Sequence, residues 1–553
     1  MSFKTNPRFL VRLSLWFTLL FAATVRLQGQ PVDVMGRIPL MPTPRTVVYH
    51  GKSVPFPSAI SVHGLGRARA DEDRTVETME ELFRLMPEVK ADFGGRFPYK
   101  IVFEASARIK SREGYELSSD ESGVIVRYGT EAGRFYGAQT VYQLFAYAYC
   151  GARFLLWENY PAESQRCLPV LTIVDEPAYA IRAFMADAGR APFSLPLLKR
   201  LVRLMAQVKL NTLHLRLYDD ELCGFHFAYL PLGQENPTAL DAAGLRELVH
   251  YARGYHVTVM PELESWGHVQ SIIYHYPHLR GAAGTTGGSS FGIGEPTYAL
   301  LEQIYDEIVP CLGEDAAVHV GLDEAVWAVL AGEENRGHTP TNMVDRIHQI
   351  LQRVAARHHV KVTMHLWADH GGRPLSKELE PQVIIEPWAY LEANQTDIVD
   401  KLAHYGGAGK AALMMGAGIG WGRTHGDFEA TRIWCTEGQK YPNVRGVTLC
   451  LWGTNDVAGR LITLYAGAGF AWAPEKIVRD QHDRFGELLR NRLDLEMQRW
   501  QLIFPAADPD AINADRGPEV LAARYLRPPL AGKPVAPTVD FKPPQAHGPG
   551  SPR

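Results

Sequence analysis

Residues 317 to 324 read Ala317-Val318-His319-Val320-Gly321-Leu322-Asp323-Glu324. The stretch opens as an apolar β-strand and ends in two adjacent carboxylates. A buried strand that releases acidic groups at its C-terminal end is how a parallel (β/α)8 barrel presents reactive side chains, because its sites lie on that rim. An Asp-Glu pair after glycine is also common in surface turns, so the reading rests on what flanks it.

On both sides the chain alternates strand and helix. Strands are predicted at 183–187, 212–217, 256–261, 317–321, 362–367, 383–388, 412–415 and 446–452. Amphipathic segments such as 195–208, 245–253, 298–309 and 341–358 separate them. Ser194 is placed to cap the first of these helices, with Pro196 in its opening turn, where a missing N–H costs nothing. Eight strand signals over roughly 280 residues fit a (β/α)8 TIM barrel, whose usual size is about 250 residues. A doubly wound sheet is the fallback, but no glycine-rich phosphate loop follows the first strand.

Upstream the pattern differs. Strand signals at 59–62, 100–103, 115–117 and 123–126 are mixed with helical ones at 75–86 and 131–148, which reads as a small α+β domain ending near Asp175-Glu176-Pro177. Lys4, Arg8 and Arg12 followed by the apolar run 13–25 form the n- and h-regions of a secretory signal peptide; an uncleaved anchor is the alternative. The organisation expected is a signal peptide over 1–30, the α+β domain over 31–176, the barrel over 177–503 and a Pro-rich tail over 504–553. A secreted or periplasmic protein follows, without stable membrane insertion once the signal is removed.

The 553 residues carry a net charge of −4, which leaves no electrostatic case for a nucleic-acid partner. Six cysteines are scattered without metal-ligand spacing, and neither metal nor cofactor is expected. Cys150 and Cys167 are close enough to bridge across a hairpin or to be buried thiols. The Gly/Ser/Thr-rich segment 281–292, between the third and fourth strands, is either a substrate-side lid or a surface loop.

Reading the C-terminal strand ends alone collects a coherent set. The first strand is bracketed by Arg182 and Asp187, with Arg190 after it, and the second runs into Tyr218-Asp219-Asp220-Glu221. The third ends Pro261-Glu262-Leu263-Glu264, then Trp266-Gly267-His268. The fourth delivers Asp323 and Glu324; later ones deliver Trp367 with Asp369, Trp388 with Tyr390, and Trp452 with Asn455 and Asp456. Carboxylates with tryptophans suggest glycoside hydrolysis. Most glycosidases hold two carboxylates across the scissile bond. Adjacent strand residues face opposite ways, so Asp323 and Glu324 suit that arrangement poorly unless the backbone turns. They suit a substrate-assisted scheme, in which the sugar's 2-acetamido oxygen is the nucleophile, one carboxylate orients the amide and the other protonates the leaving oxygen.

At this point the chain resembles family 20 of the glycoside hydrolases, the β-N-acetylhexosaminidases, from about residue 38 to about 475. The resemblance is carried by Gly114-Tyr115-Glu116-Leu117, by Gly133-Arg134-Phe135-Tyr136-Gly137, by Ile181-Arg182-Ala183-Phe184-Met185-Ala186-Asp187 and by His319-Val320-Gly321-Leu322-Asp323-Glu324, similar to the family's His-x-Gly-Gly-Asp-Glu signature. It implies Glu324 as general acid and then base, Asp323 as holder of the acetamido N–H, and Arg182 as ligand of the outer sugar hydroxyls. It further implies Asp219 and His268 behind the acid, Trp367 and Trp388 walling the acetamido pocket, and Trp452 beneath the pyranose. The implied partner is an amino-sugar-containing oligosaccharide or glycoconjugate, cleaved exo with retention.

Departures are visible. Leu322 replaces the second signature glycine, and His214-Leu215-Arg216 replaces His-x-His. The seventh strand continues Gly416-Ala417-Gly418 without the Tyr-x-Asp that completes the amide clamp, and Thr454 stands where a carboxylate grips outer hydroxyls. Asn455 or Asp456 is the candidate substitute. Leu322 and Trp421 are similar to the branch containing hexosaminidase D, which implies N-acetylgalactosamine-type sugars. Two other readings stay open: a glycan-binding barrel with weak or lost catalysis, and a glycosidase using Glu262 or Glu264 beside His268.

Overall fold

The computed structural model describes residues 40–66, 73–150, 166–283, 289–324, 340–369, 374–390, 395–418, 424–476 and 506. The predicted signal segment, nearly all of the tail, Trp421 and the side chain of Cys150 lie outside the described residues. No helix among the described residues is long and apolar enough to cross a membrane.

The first unit is a seven-stranded mixed sheet. Its strands are β1 (Thr46–Pro55), β2 (Ala59–His63), β3 (Lys90–Asp92), β4 (Tyr99–Ala105), β5 (Tyr115–Asp120), β6 (Gly123–Tyr128) and β7 (Cys167–Asp175), in the order β1-β7-β5-β6-β4-β2-β3. Helices α1 (Thr75–Leu85) and α2 (Glu131–Cys150) pack with it. The long edge strand β1 carries a solvated, non-alternating run, and periodicity alone does not find it.

A closed barrel of eight parallel strands follows: β8 (Ile181–Asp187), β9 (Thr212–Arg216), β10 (Thr258–Glu262), β13 (Asp315–His319), β14 (Lys361–Trp367), β15 (Val383–Glu386), β16 (Ala412–Gly418) and β17 (Val444–Leu451). Each of the eight predicted strands is present. Closure comes from β17 pairing in parallel with β8. Between β10 and β13 the chain inserts a hairpin, β11 (Arg280–Ala283) with β12 (Ser289–Phe291), so the glycine-rich segment is partly paired structure.

Helices α3 (Leu195–Gln207), α4 (Ala242–Arg253), α5 (Gln270–Ile273), α6 (Glu295–Ile308), α7 (Pro340–Arg357), α8 (Gln395–Tyr405), α9 (Thr424–Gly438) and α10 (Leu461–Trp472) accompany the barrel. Ser194 Oγ accepts from Leu197 N–H at the start of α3, and Asp241 Oδ1 accepts from Gly244 N–H at the start of α4. Each cap satisfies an amide that the first helical turn leaves without a carbonyl. The apolar stripe of α3, including Leu197, Leu201 and Met205, is buried, so tertiary packing adds to the helical pattern.

The two units meet at the N-terminal ends of the barrel strands. Asp175, closing β7, accepts from Trp472 Nε1 at 2.7 Å, Lys209 Nζ at 3.0 Å and the Tyr115 hydroxyl at 2.5 Å. Arg182 belongs to this junction, which corrects its expected place. It is fully buried, forms an ion pair with Glu113 at 2.6 Å, donates to the carbonyls of Lys209 and Tyr179, and lies 5.0 Å from the Trp472 ring. The cause is its position as the second residue of β8, at the end away from the catalytic rim. Arg182→Met is expected to cost about 1–3 kcal/mol, because the partly buried Glu113 carboxylate and the carbonyls of Lys209 and Tyr179 lose their donor. Urea denaturation reads the loss, while KM for a sugar substrate should stay unchanged; a raised KM at native stability would return Arg182 to the substrate.

Candidate active site

The geometry turns on the end of β13. Beyond His319, Gly321, Leu322 and Glu324 adopt left-handed backbone, with φ of +69°, +77° and +46°. The turn that a straight strand lacks is therefore present, and Asp323 and Glu324 converge on one imidazole. His268 Nε2 lies 3.7 Å from Asp323 Oδ2 and 3.2 Å from Glu324 Oε2. For an L-residue such as Leu322 the left-handed conformation costs roughly 1–2 kcal/mol. Complete burial of its side chain and an N–H donated to Glu264 Oε2 at 3.2 Å offset that cost.

Gly321 has no latitude at all. A Cβ there would fall 2.1 Å from the Glu264 carboxylate. Gly321→Ala is expected to destabilise by about 1–3 kcal/mol or more through overpacking, measured by urea denaturation. Unchanged stability would mean that Glu264 is free to move aside.

Below the pair lies a buried ionic cluster organised by Arg216, the last residue of β9. Its Nε meets Asp219 Oδ2 at 2.5 Å; its Nη1 meets Glu262 at 2.6 Å, Glu264 at 2.9 Å and Asp323 at 3.5 Å. All four partners are carboxylates in a site almost closed to water, and the consequences diverge. Burial alone would raise Asp323, but Arg216 and His268 hold it down at about 2. Glu264, buried beside Asp323, is pushed well above the usual range and shares a hydrogen bond with it. Glu264 is thus the neutral member and Asp323 the charged one, a separation like charges at short range impose. Burial opposes the charge on His268, yet Asp323, Asp219, Asp220 and Glu324 raise it well above its ordinary value. His268 is an imidazolium behind both site carboxylates.

Glu262 and Glu264 are both fully buried. Glu262 accepts from Arg216 and, at 2.7 Å, from Trp367 Nε1. Neither glutamate reaches solvent, which corrects the alternative that one of them touches substrate. His214, Glu262 and His319 bring donor atoms within 4.8 Å of one another. Here His319 Nδ1 accepts from Gly321 N–H, Glu262 Oε1 accepts from Arg216, and His214 Nε2 lies 2.9 Å from Glu262 Oε2.

Arg190 occupies the rim position expected of Arg182. Its Nη2 lies 3.1 Å from Asp219 Oδ2, its Nε 3.6 Å from Glu221, and its guanidinium 5.1 Å from the Trp452 ring. Burial and Asp219 lift Glu221 to about 6.

The aromatic wall has two depths. Trp367 is fully buried and packs on His214 and His319, so it is a floor beneath the pocket; Trp452 is 7% exposed, with Arg190 and Arg216 near its ring. Trp388 and Tyr390 are half-buried and stacked, with centroids 5.2 Å apart at 17°. Their place is explained by the strand that lacks Tyr-x-Asp. A Cβ on Gly416 would lie 2.7 Å from Trp388 Cβ, and one on Gly418 2.8 Å from Tyr390 Cβ. The glycines of β16 make room for aromatics delivered by β15, a compensation the glycine spacing alone could have signalled. Asp456 caps its own turn by accepting from Gly459 N–H, and the Asn455 amide donates to Pro192 O.

A parallel barrel whose C-terminal rim carries a paired Asp-Glu, an imidazolium and an aromatic wall defines a glycoside-hydrolase type of site. The profile of the glycosyl hydrolase family 20 catalytic domain matches residues 179–406, and that of the family's domain 2 matches residues 37–176. The chain therefore belongs to glycoside hydrolase family 20.

Among its relatives, a beta-hexosaminidase of Porphyromonas gingivalis is 28% identical over 241 residues, 38% of this chain and 29% of that protein. Beta-hexosaminidase subunit A1 of Dictyostelium discoideum is 24% identical over 294 residues, 50% of this chain and 52% of that one. The matched stretches thus span between 29% and 52% of these relatives' lengths. Among solved structures, Flavobacterium johnsoniae chitobiase shares the fold with a TM-score of 0.64 at 18% identity, over 86% of this chain and 74% of that one. An exo beta-N-acetylglucosaminidase from Vibrio harveyi shares it at 0.61 and 17% identity, over 83% and 77%.

Proposed function

We propose that the protein is an exo-acting, retaining β-N-acetylhexosaminidase working by substrate-assisted catalysis. The observation that carries this reading is the convergence of Asp323 and Glu324 on His268 at the end of β13. Asp323, kept ionised, accepts the acetamido N–H and steers the amide oxygen toward the anomeric carbon. Glu324, whose side chain is 34% exposed, protonates the leaving oxygen and then draws the proton from water as the oxazolinium opens. Trp388 and Tyr390 wall the acetamido group, and the Tyr390 hydroxyl takes the part of the tyrosine absent from β16. Arg190 and Glu221 hold the outer hydroxyls. The basic start and apolar run of residues 4–25 support action outside the cytoplasm.

The test is a substrate panel: aryl β-N-acetylglucosaminide, β-N-acetylgalactosaminide and β-glucoside, with a thiazoline mimic of the oxazolinium as inhibitor. Turnover confined to the two acetamido sugars, with thiazoline inhibition, is expected. Cleavage of the glucoside would overturn the mechanism, and binding without turnover would make the protein a glycan-binding barrel.

A further inference from the structure

Asp369 is a half-buried carboxylate beside the site that the scheme above leaves unused. It follows β14 by two residues, and each of its oxygens is committed. Oδ2 accepts from the Glu324 backbone N–H at 2.9 Å, and Oδ1 accepts from Trp388 Nε1 at 3.1 Å. The first tie reaches the end of β13 and the second the end of β15, so one side chain spans three strand ends. Its own base is fixed: Ala368 N–H donates to Glu386 O at 3.0 Å, and the Tyr405 hydroxyl donates to Ala368 O at 3.2 Å. Burial and the neighbouring Asp323 raise its carboxyl to about 6, so at neutral pH it is ionised and both oxygens accept.

Glu324 is the residue that such a tie is needed for. It sits in left-handed backbone at φ +46°, where an L-residue is held only by its surroundings. Its N–H is gripped by Asp369, so the acid's backbone is positioned from outside its own strand. The indole gripped by the other oxygen belongs to the ring that stacks on Tyr390 in the pocket wall.

We propose that Asp369 is a positioning residue that locks the backbone of the acid Glu324 to the Trp388 wall, so that the proton donor and the acetamido pocket keep one register. The proposal rests on the reading of Glu324 as the general acid. Asn at 369 keeps the volume but offers one carbonyl oxygen and one N–H2 group, so one of the two N–H donors then faces another donor.

The experiment compares wild type, Asp369→Asn and Glu324→Gln on two β-N-acetylglucosaminides: a nitrophenyl one, which departs with little proton assistance, and an alkyl one, which requires the acid. A displacement of about 1 Å can cost on the order of 10²-fold. Asp369→Asn is therefore expected to lose roughly 10²-fold in kcat/KM on the alkyl substrate and much less on the nitrophenyl one, since kcat/KM reports only the steps through oxazolinium formation. The ratio of the two rates is internal to each preparation and does not depend on the folded fraction. Asp369→Ser, which removes the carboxylate in a smaller volume, is the second variant should the asparagine chain fail to fold. Equal losses on both substrates, or none, would overturn the proposal. Glu324→Gln is read first: if it leaves alkyl cleavage intact, the acid assignment falls and this proposal with it; if it abolishes cleavage while Asp369→Asn shows no leaving-group selectivity, only the positioning role falls.

Discussion

Glu324→Gln is expected to lower kcat by about 10²–10⁴-fold on substrates with poor leaving groups, the usual worth of a positioned general acid. Glutamine keeps the length and planarity of the side chain and its reach toward His268, 3.2 Å away in the wild type, but has no proton to give. Asp323 and the ionic cluster beneath it are untouched. Oxazolinium formation should therefore persist where the leaving group departs unaided. Its hydrolysis also uses Glu324, as base, so nitrophenyl substrates should show a rapid first turnover followed by slow release. Azide, which attacks without a base, should speed that release. Stopped-flow nitrophenol traces with and without azide make the measurement. Steady, undiminished turnover would remove Glu324 from the mechanism.

The second large effect is on stability. Arg216→Met should destabilise the protein by about 3–5 kcal/mol or more, since it leaves Asp219, Glu262, Glu264 and Asp323 buried without their shared cation. The sign of the pH dependence contributed by Asp219, Glu262 and Asp323 should also change. In the wild type Asp219, Glu262 and Asp323 all have lowered pKa values, Asp323 at about 2. Their contribution is fully present above the unfolded carboxylate range near pH 4 and is lost as pH falls through the folded values. Without Arg216 burial dominates and their pKa values rise. The folded state then binds more protons than the unfolded one, and stability falls as pH climbs through and above about 4. Urea denaturation at pH 5 and pH 8 separates the cases: the variant should be markedly weaker at pH 8. Parallel curves for the two proteins would show that Arg216 does not govern the cluster.

Much of the architecture was legible because the barrel strands are rich in apolar residues and the helices between them repeat at helical period. The ring of functional strand ends was legible for the same reason, since a strand's C-terminal residues can be read once its limits are known. What escaped lies in directions and distances. Arg182 and Arg190 flank one strand, and only the fold shows which end faces substrate; the arginine inside the strand's first turn of pleat goes to the domain junction. Arg216 reads as the loss of a histidine, whereas its length lets it touch four carboxylates contributed by three strand ends. The left-handed path at Leu322 and Glu324 has no local signature, because neither residue favours it; tertiary bonds from Glu264 and Asp369 impose it. Gly416 and Gly418 look like an absence and turn out to be space for Trp388 and Tyr390.

The junction around Asp175 carries a consequence for how the chain can be divided. Trp472 closes the last barrel helix and Lys209 precedes the second barrel strand, yet both are bonded to the final residue of the preceding sheet. Arg182 of the first barrel strand likewise finds its counter-ion, Glu113, on the sheet side. A barrel cut free at residue 177 would carry two interior cations stripped of their anions and an indole N–H without an acceptor. The smaller unit is therefore a keystone of the larger one, and a transplanted catalytic barrel would have to bring Glu113, Tyr115 and Asp175, or their equivalents, with it.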